Sequence, residues 1–451
     1  MITSINPYNN KSLGSFDELS ASEIEKKISK GNEAFLLWKE TPYNEKAQLM
    51  LKAAKVLRDH KKSFGTTITQ EMGKPIKQSI AEIEKCAWLC EYYAENAEKF
   101  LSHEIIDSDA HKSYVTYEPL GVILAVMPWN FPFWQVFRFA VPALMAGNTA
   151  LLKHASNVML SAENIQKVFE IAGFPEDVFQ NLIISSKKVE KIIENPLVKA
   201  VTLTGSEPAG SAVASTAAKN IKKAVLELGG NNAFIVLNDA DIDKAVEIGV
   251  NARFQNTGQS CIAAKRLLLQ ADIADIFLEK FISKIKSLKS GDPIDEKTYI
   301  GVMAREDLAI ELEKQIKTSV KMGAKIVIGG NRVGAYYEPT VLTEVSKEMP
   351  VFKDETFGPA ICVMKFKDLD EAISISNNSD FGLGVSIFTE DIKKVEKVVN
   401  KFDEGAVFIN ELVKSDPRLP FGGIKTSGYG RELSHHGIKE FVNIKTVYIN
   451  K

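Results

Sequence analysis

Cysteine is scarce in this chain. Only Cys86, Cys90, Cys261 and Cys362 carry thiols among 451 residues. So few cysteines exclude a disulfide-stapled scaffold, and no CxxC or Cys/His cluster has zinc-ligand spacing, so no metal is expected. A reducing cytoplasm fits this usage best. Charge of one sign is also lacking: 56 Lys and Arg stand against 58 Asp and Glu, a formal net charge of −2. A nucleic-acid partner usually demands a basic excess, and none is present. Long uncharged apolar runs are missing as well. The longest, "FPFWQVFRFAVPALMAG" at 131–147, contains Arg138 and two prolines, Pro132 and Pro142. A membrane span needs roughly twenty uncharged apolar residues, so this stretch reads as buried core and no membrane partner is expected. The opening "MITSINPYNNKSLGSF" has neither a positive head nor an apolar run and does not read as a signal peptide.

What is present is ordinary for a soluble globular protein: 45% hydrophobic and 25% charged residues. The length suggests about two or three domains. Residues 20–100 repeat apolar side chains at intervals of three and four, which predicts helices; Cys86 and Cys90 share a core face there. From residue 120 the texture changes. "GVILAVMPW", "NTALLKHAS", "FQNLIIS", "KAVTLTGS", "KKAVLELGG" and "NAFIVLND" are short apolar runs bounded by turn formers, with helical stretches between several of them. After Cys261 the alternation resumes with "KRLLLQ", "AKIVIGG", "PAICVMKF" and "GVSIFTE". Strands alternating with helices predict parallel sheets covered on both faces, hence two doubly wound α/β domains. "HKSYVTYEPLG" and the terminal "EFVNIKTVYINK" look like strands without helices around them, suited to pairing with each other or with another subunit's edge.

Four short stretches carry candidate chemistry. "FQNTGQSCIAAKR" holds Cys261, a thiol that needs a base or an electropositive setting to become a nucleophile. None of the six histidines sits in a hydrolase-like motif. "AVLELGGNN" puts Glu227 at the end of an apolar strand, where burial raises a carboxylate's pKa toward that of a useful base; a solvated strand-end Glu is the alternative. In "PWNFP" two prolines bracket Asn130, and a rigidly held amide can stabilise an oxyanion; a turn asparagine is the alternative. "LTGSEPAG" reads as a strand, then Gly205 and Ser206, then a helix whose N-terminus can approach a pyrophosphate. Lys153 and Ser156 follow another strand and could reach a ribose or phosphate, with His154 beside them. Arg138 lies eight residues after Asn130, on the same face if the stretch is helical. A buried guanidinium needs a carboxylate, which could be a substrate's or an internal Asp or Glu.

Taken together, "PWNFP", "LTGSEPAG", "LELGGNN", "NTGQSC", "ETFGP" and "PFGGIKTSGYGREL" resemble the aldehyde dehydrogenase superfamily, in order and spacing, over essentially the whole chain. The resemblance implies Cys261 as nucleophile, Glu227 as general base, and Asn130 with the Cys261 backbone N–H as oxyanion donors. It implies that Glu355 and Phe357 hold the nicotinamide ribose and ring, Ser206 the pyrophosphate, and Trp129 and Lys153 the adenosine side. It also implies a domain plan: 1–100 and 120–229 for cofactor binding, 230–428 for catalysis, and 101–119 with 429–451 as a small β oligomerisation flap, in a homodimer or homotetramer.

"KHASNVM", "NTGQSCIAAKR" and "RELSHHGIKEFVNIKTVY" look like the short bacterial succinate-semialdehyde dehydrogenases. That likeness implies a substrate carboxylate bound by Arg138 and a loop serine, placed at Ser415, in a pocket that includes Phe131 and Trp134. Longer relatives carry a second substrate arginine where this chain has Gln255, which implies a shallower grip and wider aldehyde tolerance. Ala263 stands where some relatives have a second cysteine, so a local disulfide switch is not expected. NAD-strict relatives often have Glu where this chain has Ser156, and many relatives have Pro where it has His154, which is expected to assist Lys153 and Ser156 with a 2′-phosphate, so NADP is the expected cofactor, with NAD as an alternative. The competing readings are a broader aliphatic or amino-aldehyde dehydrogenase, a cysteine thioester hydrolase without nicotinamide, and a non-catalytic binding scaffold.

Overall fold

The computed structural model describes residues 1–451. Four helices, Ala21–Trp38, Tyr43–Asp59, Lys61–Met72 and Ile76–Phe100, occupy the N-terminal region as the periodicity predicts. The apolar run at 131–147 forms the helix Pro132–Met145, every residue of which is buried. Its neighbour Ile76–Phe100 caps it: one oxygen of Glu82 accepts the backbone N–H groups of Phe133 and Trp134, each at 2.9 Å. A carboxylate there satisfies two orphan donors and complements the helix dipole.

Two large sheets organise the rest. The first has six strands in the order Gly428–Tyr429, Lys223–Glu227, Val198–Thr204, Val122–Met127, Thr149–His154 and Phe179–Asn181. All neighbours are parallel except the Gly428–Tyr429 edge, which runs antiparallel to Lys223–Glu227. The second has seven, ordered Lys325–Ile328, Thr340–Thr343, Ala360–Phe366, Ala264–Gln270, Asn232–Val236, Val385–Phe388 and Val407–Ile409. Only Lys325–Ile328 is antiparallel there. Their central strands are buried on both faces and therefore read as continuous apolar runs. Thr340–Thr343 and Val407–Ile409 join this sheet although their sequences are too short and mixed to stand out.

The two helix-poor segments pair with each other. Val442–Ile449 runs antiparallel to Lys112–Pro119 in unbroken register, and Glu104–Ile105 adds a third strand. Ile444, Tyr448 and Ile449 on the outer strand stay exposed. No helix of the chain is long and apolar enough to cross a membrane.

One local expectation changes. Asn130 does not share a helix with Arg138, because the helix begins at Pro132. A proline pushes the residue before it out of the helical region, and Phe131 sits at φ −135° and ψ 75°. Asn130 therefore belongs to the turn after the strand Val122–Met127, at the carboxyl end of the first sheet.

Candidate active site

A cavity of about 220 Å³, lined by the helices Ile76–Phe100 and Pro132–Met145 and by the loops around Cys261 and Ser415, brings together Cys261, Phe131, Trp134, Arg138 and Ser415, residues spread over nearly three hundred positions. Gln255 also lines it. Asn130 and Glu227 are buried and do not form its wall.

The loop that delivers Cys261 is held in an unusual conformation. The helix Ile242–Phe254 ends, and Asn256, Thr257 and Gly258 follow in the left-handed region at φ 54°, 54° and 73°. For the two non-glycine residues this costs on the order of 1–3 kcal/mol each, so the surroundings must over-determine the turn. A Cβ at Gly258 would run into the carbonyl of Gly358. The Asn256 amide donates to the Asn130 carbonyl at 2.8 Å and to the Gln259 carbonyl at 3.1 Å. Its own N–H donates to Gln78 Oε1 at 2.6 Å. Lys265 reaches back to the carbonyls of Ser260 at 2.9 Å and Cys261 at 2.7 Å. Asn130 Nδ2 donates to the Gln259 carbonyl at 3.1 Å, which leaves its second N–H for a ligand.

The electrostatics explain why a thiol needs help here. Burial pushes the Cys261 thiol up to about 11; Arg138 and Lys265 pull it down, while Glu355 and Glu227 push it further up. At neutral pH the sulfur keeps its proton. Glu227, last residue of the strand Lys223–Glu227, is raised to about 8, chiefly by burial and then by Glu432, against the pull of Arg138 and Arg431. Neither of its carboxylate oxygens has a hydrogen-bond partner. A buried, unpartnered carboxyl beside a thiol cavity is poised to exchange a proton with a bound molecule.

Arg138 has an internal partner. Its Nε pairs with Glu432, its Nη2 lies 3.4 Å from Thr204 Oγ1, and its guanidinium stacks over Phe421. Nη1 makes no hydrogen bond to the protein. The acid partner left open by the sequence is thus Glu432, which lies within the "GREL" stretch without announcing itself. Ser415 is buried; its oxygen accepts from Trp134 Nε1 at 3.0 Å and from Lys85 Nζ at 2.9 Å, which leaves its own hydroxyl proton free. Lys85 is a cavity residue that motif reading passes over. The signal was its spacing: Gln78, Glu82 and Lys85 recur at four and three on the helix Ile76–Phe100, and all three line the cavity.

The residues expected to meet a dinucleotide lie elsewhere, at the carboxyl ends of adjacent parallel strands of the first sheet. Lys153 and Leu203 flank Val126 in register, so Trp129, Lys153–Ser156 and Gly205–Ser206 emerge along one edge. Such an edge is where open α/β sheets bind ligands. Ser206 precedes the helix Glu207–Lys219 without using its hydroxyl as a cap. Ser156 is exposed, and Lys153 forms no ion pair; burial lowers its pKa with no acid to offset it. An unpaired ammonium, free hydroxyls and a helix N-terminus suit a phosphorylated ribose and a pyrophosphate. His154 takes no part: it is fully buried, and its Nε2 and Nδ1 meet the Pro132 carbonyl and the Ala155 N–H, each at 3.0 Å. Burial drives it down to about 4, so it stays neutral and structural.

Glu355 and Phe357 border a separate shallow depression rather than the thiol cavity. Lys265 links the two regions, since its Nζ also pairs with Glu355 at 2.7 Å. Gly230 N–H donates to the same carboxylate oxygen at 3.2 Å, and Trp129 meets Phe357 edge-on at 5.7 Å. Lys265 is the second residue that the sequence reading missed. It sits at the start of the strand Ala264–Gln270 and looks there like any strand-end lysine.

Residues 1–447 match the model of the aldehyde dehydrogenase family. The chain is 47% identical over 451 residues to the probable succinate-semialdehyde dehydrogenase [NADP(+)] of Synechocystis sp., covering 99% of each. It is 46% identical to the succinate-semialdehyde dehydrogenase [NADP(+)] of Mycobacterium avium, covering 99% of this chain and 96% of that one. Among solved structures, the succinic semialdehyde dehydrogenase from Streptococcus pyogenes in complex with NADP+ superposes with a TM-score of 0.98, at 35% identity and full coverage of both chains.

Proposed function

Since the chain belongs to the aldehyde dehydrogenase family, we propose that it oxidises succinate semialdehyde, and related aliphatic semialdehydes, to the acid, with NADP preferred and NAD accepted. The observation that carries this reading is the single cavity in which one thiol, Cys261, faces cationic side chains and the free hydroxyl of Ser415. An aldehyde at one end and a carboxylate at the other match that distribution. The names of the relatives that match from end to end support the same substrate and cofactor.

In this reading the Cys261 thiol gives up its proton to solvent, and the resulting thiolate adds through sulfur to the aldehyde carbon. The oxyanion forms toward the spare N–H of Asn130 and the backbone N–H of Cys261; such preorganised donors are typically worth 10²-fold or more in rate. A nicotinamide held by Glu355 and Phe357 would supply the hydride acceptor needed to oxidise the thiohemiacetal to the thioester. Glu227 then takes a proton from the water that hydrolyses the thioester. Thiol suits both halves, because it adds readily to a carbonyl and leaves readily from an acyl group. Arg138, half committed to Glu432, offers Nη1 toward the substrate, and Phe131 and Trp134 shape the apolar wall.

Glu355 and Phe357 would hold the nicotinamide ribose and ring, Gly205 and Ser206 the pyrophosphate, and Trp129, Lys153 and Ser156 the adenosine end. We assign 1–100 and 120–229 to cofactor binding, 230–428 to catalysis, and 101–119 with 429–451 to pairing between copies as a dimer or tetramer. The exposed apolar strand with Ile444 and Tyr448 supports that last role.

The reading is tested by steady-state kinetics on aldehydes with and without a distal carboxylate, each with NADP and NAD. Succinate semialdehyde should have the highest kcat/KM; a preference for butyraldehyde or for an amino-aldehyde would favour the broader enzyme instead. Product release from a thioester at full rate with no dinucleotide would favour the hydrolase. Ser156→Glu places a carboxylate where a 2′-phosphate is expected and should lower the NADP/NAD ratio of kcat/KM by roughly ten-fold or more through like-charge repulsion. An unchanged ratio would move the adenosine site away from Ser156.

A further inference from the structure

Lys85 is a half-buried ammonium on the cavity wall, and no carboxylate lies close enough to form an ion pair with it. Its Nζ sits 4.1 Å over the ring of Trp134 and donates to Ser415 Oγ at 2.9 Å. Both contacts fix the position of the charge without neutralising it. Burial, and then the neighbouring Arg138, lower its pKa to about 8; Cys86, Asp416 and Glu82 offset this only in part. Arg138, by contrast, already has Glu432. The uncompensated positive charge of this cavity therefore resides on Lys85. Ser415 accepts from both Lys85 and Trp134, so its own proton points to a further acceptor. A cation without a counterion, next to a hydroxyl with an unused proton, is the donor set of an anion subsite. The uncharged amide of Gln255 lines the same cavity and supplies no second guanidinium.

We propose that Lys85, together with Ser415, grips the distal carboxylate of the substrate and is the main determinant of preference for ω-carboxyl aldehydes. This rests on the semialdehyde reading above. A carboxylate between Nζ and the Ser415 hydroxyl receives two charge-assisted donors and relieves the repulsion between Lys85 and Arg138.

The test is kinetic. Lys85→Met keeps the length of the stem and the packing on Trp134 while removing the charge. It should lower kcat/KM for succinate semialdehyde by roughly 10- to 100-fold, mostly through KM, and weaken inhibition by succinate in proportion. The loss for butyraldehyde should be at least ten-fold smaller. Lys85→Arg, which restores a cation, should recover most of the preference. Equal losses on both aldehydes in Lys85→Met, or failure of Lys85→Arg to recover any preference, would overturn the assignment. A wild-type enzyme that does not distinguish the two aldehydes would instead overturn the substrate reading itself, so the two failures are separable.

Discussion

Cys261→Ser should lower dinucleotide reduction by any aldehyde by roughly 10⁴-fold or more, the scale seen when an enzyme loses its nucleophile. A hydroxyl is close in size to a thiol, and the loop around position 261 is held by backbone and side-chain bonds from Asn256, Lys265 and Gln78 that the substitution leaves in place. The thermal midpoint should therefore stay within a few degrees of wild type, which separates lost chemistry from lost fold. Wild-type protein quenched during turnover should carry an acyl adduct on the peptide containing Cys261. No adduct there, with a serine variant that still reduces NADP at the normal rate, would remove the thiol from the mechanism.

Glu227→Gln should leave the first half of the reaction faster than the second. Without a base to activate water, the thioester persists. A burst of reduced dinucleotide should precede a steady rate lowered by on the order of 10²- to 10⁴-fold. Folding should tolerate the change well: burial already favours the uncharged form of this side chain, and neither oxygen accepts a hydrogen bond that an amide would break. The sign of the pH effect follows from the raised pKa. The base is active only when ionised, so the wild-type rate should climb from neutrality through about pH 8 as Glu227 loses its proton. In Glu227→Gln that limb should vanish, leaving only the rise at higher pH that accompanies the Cys261 thiol, which burial pushes up. A variant with no burst and an unaltered profile would assign the proton transfer to another group.

These effects depend on a balance of buried charge that no segment carries alone. Arg138 lowers the pKa of both Cys261 and Glu227, while Glu432 holds part of that guanidinium and pushes Glu227 up. The four residues come from the strand Lys223–Glu227, the helix Pro132–Met145, the loop before Ala264 and the stretch after Gly430. Lys85 and Ser415 are 330 positions apart and 2.9 Å from contact partner to partner. Their approach follows from the packing of the helix Ile76–Phe100 against the loop that follows the strand Val407–Ile409.

Local pattern was nonetheless informative. The parallel sheets were legible because strands buried on both faces must be apolar throughout, as in Val122–Met127 and Asn232–Val236. The pairing of Lys112–Pro119 with Val442–Ile449 was legible because two strands without helices have few other ways to satisfy their backbones. Asn130 stood out because two prolines bracket it, Glu227 because it ends an apolar strand before two glycines, and Cys261 because its motif keeps the order and spacing of the resemblance. The helical continuity of Asn130 with Arg138 was misjudged because Pro132 acts on the residue before it, and His154 because an imidazole at a strand end looks the same whether it faces solvent or two backbone groups.

The sequence by itself determined the class of fold, which follows from periodicity, and brought Cys261, Glu227 and Asn130 forward as candidates whose roles the resemblance in motif order and spacing implies. Only the tertiary structure decided which acid meets Arg138, which lysine carries the cavity's unbalanced charge, and how far Cys261 and Glu227 depart from their ordinary pKa values. The physical reason is that desolvation and Coulomb interaction depend on distance and burial in space, and groups hundreds of residues apart contribute to them as strongly as neighbours in the chain.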